Sequence, residues 1–194
     1  MKHLYLMRHG ETLFNVRCRI QGWCDSPLTE NGIEQAKRAC EMLKGIEFDH
    51  YYCSTAERAC DTMELVAPGK PYVRLKGLKE RGFGTFEGES EDLNPPRYGT
   101  DPGFSYDDLF PHYGGETSED VRVRVCGAIN EIMEKEDHHT VLVVSHGGAS
   151  TRFLATVADP AVVFQRKRFP NCAALHFTYQ NGEYEFVEML GPEQ

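Results

Sequence analysis

Two short, almost uninterrupted apolar runs punctuate the chain, KHLYLM from Lys2 to Met7 and TVLVVS from Thr140 to Ser145. Runs this short, with little polar alternation, suit strands covered on both faces, as in a parallel sheet. Each leads into a histidine followed by glycine, His9-Gly10 and His146-Gly147. Weaker strand patterns cover Tyr51 to Cys53 and Tyr72 to Leu75. Ala173 to Tyr179 and Tyr184 to Met189 flank Gln180-Asn181-Gly182-Glu183, whose Asn-Gly pair predicts a hairpin. The sheet is therefore expected to be mixed, with an antiparallel strand near its end.

Between the strands the period changes. Ile33, Ala36, Cys40 and Leu43 recur every three or four residues, as do Val121, Val125, Ala128 and Ile132, each set marking one buried helix face. Ser54 with Glu57 and Thr117 with Asp120 have capping-box spacing, which predicts helix starts at both places. Strands alternating with helices predict a doubly wound α/β architecture. The stretch from Glu87 to Glu116 breaks the pattern. Its four prolines (95, 96, 102, 111) and five aromatic residues (Tyr98, Phe104, Tyr106, Phe110, Tyr113) predict an ordered lid with little regular structure.

Composition narrows the class. The chain has 194 residues, 40% apolar and 26% charged, close to the globular average, and its length suits one domain. A net charge of −9 argues against binding nucleic acid, which needs a basic surface. The apolar N-terminal run turns polar at Arg8, too short for a signal peptide, and no run approaches the about 20 residues of a membrane span. The seven cysteines are scattered, without a CxxC pair, and read as reduced, mostly buried thiols. A soluble cytoplasmic protein, with no membrane or nucleic-acid partner, is the expectation.

In an open α/β sheet, ligands bind beyond the carboxyl ends of the strands, where both His9 and His146 fall. Arg58, in STAERACDT, follows a predicted strand and sits in the first turn of a helix, where a cation opposes the helix dipole and needs an anionic partner. At these residues the sequence resembles the histidine phosphatase superfamily, also called phosphoglycerate mutase-like. RHGETLFN resembles its nucleophile motif, QGWCDSPLTENGIEQA its next turn and helix, and STAERACDT its second-arginine motif. LKERGFGTFEG resembles its acid-donor segment and VVSHGGAS its second-histidine segment.

The resemblance implies a three-layer α/β/α sandwich around a mixed, mostly parallel sheet of about six strands. It would form a single domain over 1–194, with the lid-like insertion at about 87–116. It implies a phosphomonoesterase of the histidine acid phosphatase type, acting on small phosphate esters through a phosphohistidine on His9, with no metal or other cofactor. Glu80 would donate the proton, and His146, Arg8, Arg58, Asn15 and the amide of Gly147 would hold the phosphoryl group. Gly10 and Gly147 would let the backbone approach the ligand. Glu11, Glu87 and Glu89 are other acids near the site, and only the alignment selects Glu80.

Other residues read more plainly. Arg19 is a candidate pocket cation, Trp23 a loop anchor, and His138-His139 a solvated helix end that would suit a metal only with further ligands. Transfer to a second hydroxyl, as in phosphoglycerate mutases, is the alternative reaction. Non-catalytic binding of a phosphorylated ligand is a second. Two departures favour hydrolysis. Glu80-Arg81-Gly82-Phe83 lacks the tyrosine hydroxyl of the mutase donor segment, and the stretch 87–116 holds eight acidic residues and one arginine, Arg97. That balance suits less charged leaving groups. The expected partner is a small phosphate ester, and the expected assembly a monomer or homodimer.

Overall fold

A computed structural model of the chain describes residues 1–93, 109–165 and 167–191. Six strands among them form one sheet: β1 (Lys2–Arg8), β2 (His50–Ser54), β3 (Val73–Leu75), β4 (Thr140–Ser145), β5 (Ala174–Gln180) and β6 (Glu183–Leu190). Their order is β3-β2-β4-β1-β5-β6. The first four are mutually parallel, while β5 runs antiparallel to β1 and β6 antiparallel to β5. The hairpin turns where the sequence predicts, with Asn181 (φ 55°) and Gly182 (φ 87°) both left-handed, as a two-residue turn of matching twist requires.

Alternation along the two central strands builds three layers. Leu4, Leu6, Val141 and Val143 face α4 (Ser118–Met133) and α5 (Gly147–Leu154), packing with Val121, Val125, Ile129 and Phe153. Tyr5, Met7, Leu142 and Val144 face α2 (Glu30–Met42) and α3 (Glu57–Val66), packing with Ala36, Ala39, Ala59 and Met63. With both faces covered, β1 and β4 need an apolar residue at nearly every position, which is why they read as continuous runs. Each fully buried Leu or Val contributes about 1.5–3 kcal/mol relative to exposure. The described residues also form two short helices, α1 (Leu13–Val16) and α6 (Pro160–Val163).

Capping follows the sequence at one place and departs from it at another. The Thr117 hydroxyl accepts from Asp120 N (3.0 Å), and Asp120 reaches back to Thr117 N (2.9 Å), the predicted box at the head of α4. The predicted box at Ser54 is absent. Helix α3 starts at Glu57 with Ala56 as its N-cap, so Ser54 remains the last residue of β2 and its hydroxyl turns elsewhere.

All seven cysteines are free. Cys53, Cys60 and Cys172 are buried, Cys24, Cys40 and Cys126 are half-buried, and Cys18 is exposed. Of the lid-like stretch, residues 94–108 lie outside the described residues, and with them Pro95, Pro96, Arg97, Tyr98, Pro102, Phe104 and Tyr106. Its two ends form short 3-10 turns, Glu91–Leu93 and Phe110–Tyr113, the second burying Phe110 against Phe83 and Phe86. No helix of the described residues is long and apolar enough to cross a membrane.

Candidate active site

Because β1 and β4 are parallel neighbours, they deliver His9 and His146 to the same edge of the sheet. The His9 backbone is pinned from both sides: its N–H donates to Ser145 O (3.0 Å) and its carbonyl accepts from Asn171 Nδ2 (2.9 Å). The two imidazoles meet edge to face with centroids 5.2 Å apart. His9 Nδ1 lies 2.7 Å from Gly10 O, and a carbonyl only accepts, so Nδ1 carries the proton. In the neutral ring the lone pair is then on Nε2. Burial, followed by the charges of Arg58 and Arg8, holds the His9 pKa well below 6.5, which keeps the ring neutral.

His146 is anchored by the residue that does not cap α3. Its Nε2 lies 2.8 Å from Ser54 Oγ, a hydroxyl that also accepts from Ala56 N. Its Nδ1 is buried, with no hydrogen-bond partner among the described residues. Burial, then Arg58, His9 and Arg8, lowers the His146 pKa well below 6.5.

Arg58 is buried to 1% exposure, and its anionic partner is Asp25 rather than an acid of its own helix. Nη1 donates to Asp25 Oδ1 (2.9 Å) and Cys24 O (2.9 Å), and Nη2 donates to Gly22 O (2.8 Å). Asp25 Oδ2 also accepts from Glu57 N (2.6 Å), supplying from afar the cap that α3 lacks. Arg8 reaches across to the carbonyl of Phe169. The Asn15 side-chain carbonyl is taken up by Thr12 N (3.1 Å), which leaves the amide nitrogen for the cavity that Asn15 lines.

Glu80 sits at the N-terminus of α5. Its Oε1 accepts from Arg81 N and Ala149 N, and its Oε2 from Gly148 N, all at 2.8 Å. Oε1 thus has both acceptor positions filled, and Oε2 keeps one through which a proton can pass. The segment is braced from outside: Trp23 Nε1 donates to Glu80 O (2.8 Å), and Arg124 binds the carbonyls of Gly77 and Lys79 while pairing with Glu116. Trp23 is therefore a loop anchor, as read from the sequence. The neighbouring acids are engaged elsewhere or turned outward. Glu87 accepts from the amides of Trp23 and Cys24, Glu11 accepts from Thr29 Oγ1, and Glu89 is exposed.

One expected glycine role changes, and a third glycine joins the site. A side chain on Gly10 would strike Gly32 O at 2.7 Å, so its smallness serves packing against α2 rather than approach of a ligand. Gly148 is the position that makes room for chemistry, because a Cβ there would lie 2.5 Å from Glu80 Oε1. Gly147 opens α5 with its Cα beside Arg8, whose Nε would lie 3.4 Å from an added Cβ.

His9, Arg8, Asn15, Arg58, Glu80 and Gly147 share the wall of a cavity of about 370 Å³; His146, expected from the sequence to hold the phosphoryl group, does not line it, because its ring is fully buried against His9. Arg19 lines it too. The wall also holds Arg81, Arg152 and Arg168, which sequence reasoning passed over, so among the described residues six arginines and three acids, Glu80, Glu91 and Asp159, line it.

The His138 expectation does not hold. That ring is 3% exposed, because the chain turns back from α4 straight into β4, and it bonds Tyr52 OH (2.7 Å) and Asp137 Oδ1 (2.8 Å). His50 and Asp137 gather with it, their ligand atoms within 4.8 Å of one another. The His50 and His138 rings are stacked with centroids 3.5 Å apart, so their in-plane lone pairs run side by side instead of converging on an ion.

Comparison with known proteins places the arrangement. The model of the histidine phosphatase superfamily (branch 1) matches residues 4–190. The chain is 33% identical over 195 residues to "Probable phosphoglycerate mutase GpmB" of Proteus mirabilis, covering 95% of this chain and 88% of that one. Its fold superposes on Bacillus stearothermophilus YhfR with a TM-score of 0.81 at 31% identity, covering 97% of this chain and 96% of that one. It superposes on a phosphoserine phosphatase of Entamoeba histolytica, crystallised with 3-phosphoglyceric acid, with a TM-score of 0.78 at 27% identity, covering 98% of each chain.

Proposed function

Since the chain belongs to branch 1 of the histidine phosphatase superfamily, we propose that it is a phosphomonoesterase working through a phosphohistidine on His9. The observation that carries this reading is the fixed tautomer of His9, whose Nδ1–H is tied to Gly10 O while the ring lines the cavity. Nε2 attacks phosphorus, the bond to the ester oxygen breaks, and the alkoxide takes a proton from Glu80 Oε2. Water, deprotonated by the Glu80 carboxylate so formed, then attacks the phosphohistidine and releases inorganic phosphate, restoring both groups. Arg8, Arg58, Asn15 and the Gly147 amide, all on the cavity wall, supply donors to the equatorial oxygens, while the fully buried His146 backs the His9 ring. The set contains enough fixed positive charge to do this without a metal ion.

Release of phosphate from p-nitrophenyl phosphate in excess EDTA is the test. Undiminished turnover is expected, and loss of activity to the chelator would remove the metal-free mechanism. Transfer to a second hydroxyl is the other reaction a phosphohistidine allows, and the six arginines of the cavity are the observation in its favour. Phe83 on the same wall has no hydroxyl to offer a second substrate, which favours hydrolysis. Interconversion of phosphoglycerates at a rate matching phosphate release would reverse that preference.

A further inference from the structure

The proton on the His9 ring is set one residue further on, at Gly10. The peptide between the two residues is gripped at both poles: its N–H donates to Thr62 Oγ1 (3.0 Å), and its carbonyl accepts from Asn171 Nδ2 (2.9 Å). The next peptide is gripped as well. Its N–H, on Glu11, donates to Gln35 Oε1 (2.9 Å), and its carbonyl, Gly10 O, is the acceptor that faces His9 Nδ1 at 2.7 Å. Three of these four partners come from other parts of the fold, Thr62 from α3, Gln35 from α2 and Asn171 from the turn ahead of β5.

Thr62 is the fully buried member of the three. Its hydroxyl donates to Arg58 O one turn back (2.7 Å), a bond that a helical threonine readily makes, so its oxygen is left to accept from Gly10 N. One side chain thereby ties the segment of the nucleophile to the helical turn that carries Arg58. Gly10 also lies close against α2, where an added Cβ would meet Gly32 O at 2.7 Å.

Which nitrogen of a neutral imidazole holds the proton is decided by the partners the ring is given. Without a fixed acceptor at Nδ1, either nitrogen can hold it. With Gly10 O fixed there, a bare Nδ1 would set two acceptors against each other on a ring that is 3% exposed. The proton therefore stays on Nδ1 and Nε2 stays bare.

We propose that Thr62 is a positioning residue for the nucleophile: with Gln35 and Asn171 it fixes the Gly10 carbonyl, which holds His9 in the one neutral form able to attack through Nε2. The consequence for turnover rests on the phosphohistidine reading; the place of the proton on the ring does not.

The test reads that proton directly. Near neutral pH, protein labelled with nitrogen-15 histidine gives distinct signals for protonated and bare ring nitrogens, and those lost in His9→Gln protein belong to His9. Wild type should carry the proton on Nδ1 alone. Thr62→Val keeps the shape of the side chain without its hydroxyl. Part of the proton should then pass to Nε2, and kcat/KM for p-nitrophenyl phosphate should fall about tenfold, the worth of one neutral hydrogen bond. Thr62→Ser, which returns the hydroxyl, should restore the spectrum and most of the rate, whereas a threonine that only filled space would be replaced better by valine than by serine. A wild-type ring protonated on Nε2, an unmoved proton in folded Thr62→Val, or no recovery with serine overturns the positioning role. If the valine variant does not fold, Gln35→Leu, at a half-buried position of α2, decides in its place: a proton shifted toward Nε2 upholds the role, and an unmoved one overturns it. A proton that moves while kcat/KM stays within about twofold of wild type upholds the positioning role and removes instead the attack by His9 Nε2.

Discussion

Asp25 offers the sharpest test of how the phosphate end of the cavity is built, because one carboxylate does two jobs there. Its Oδ1 takes a charge-assisted bond from buried Arg58, and its Oδ2 takes the first-turn amide of α3 at Glu57. The amide bond is equivalent to a helix cap, worth about 1 kcal/mol. The bond to Arg58 lies in the range of about 1.5–3 kcal/mol for a charged partner. It falls toward the low end because the Asp25 side chain is 26% exposed, although Arg58 itself is fully covered. Asp25→Ala should therefore cost about 3 kcal/mol, a fall in Tm of about 6–12 °C for a chain of this size.

The telling variant is Asp25→Asn. Asparagine caps helices as well as aspartate does, but here both side-chain atoms face donors. One of them becomes an NH2 pointed at the Glu57 amide or the guanidinium. At least half the loss should remain, read by urea unfolding without phosphate. Should Asp25→Asn lie within about 0.5 kcal/mol of wild type, the ion pair contributes nothing and the account of Arg58 is mistaken.

Three further outcomes follow from the same geometry. Gly148→Ala places a methyl against Glu80 Oε1 and unseats the carboxylate; phosphoenzyme hydrolysis should slow about tenfold or more. With p-nitrophenyl phosphate, whose leaving group needs no acid, a burst should then appear, and unchanged kcat would clear Gly148 of this role. Ser54→Ala leaves His146 Nε2 buried without its partner and should cost about 1–3 kcal/mol, whereas a variant as stable as wild type would show that the hydroxyl does not anchor the ring. His9 and His146 have folded pKa values below 6.5, so the unfolded chain binds more protons as pH falls through that value. Stability should be complete above about pH 7 and decline below 6.5, by up to about 1.4 kcal/mol per pH unit for each ring. Equal urea midpoints at pH 7.5 and pH 5.5, both about two-state transitions, would contradict the neutral assignment.

What the sequence made legible was local. The apolar runs of β1 and β4, the Asn-Gly hairpin and the Thr117 box each depend on neighbours a few residues apart, and each was found. Helix α2 begins at Glu30, three residues before the apolar pattern shows, because its first turn is polar. The motif residues that line the cavity were named from the chain alone, but their supports were not. Asp25 is 33 residues from Arg58, Ser54 is 92 from His146, and Glu116 reaches the Glu80 segment through Arg124. Such pairings have no periodic signature. The spacing of Ser54 to Glu57 fits a helix cap, but Ser54 ends β2 and its hydroxyl meets His146 instead. Arg152 could be placed on the cavity face only once α5 was known to begin at Gly147.

The central claim is a covalent bond between phosphorus and His9. Rapid acid-free quenching of the protein during turnover of a radiolabelled phosphomonoester, followed by peptide mapping, measures it directly. The account predicts acid-labile, alkali-stable label on the peptide containing Arg8-His9-Gly10 and none in folded His9→Ala protein. Label on another residue, or steady turnover by the His9→Ala variant, would contradict it.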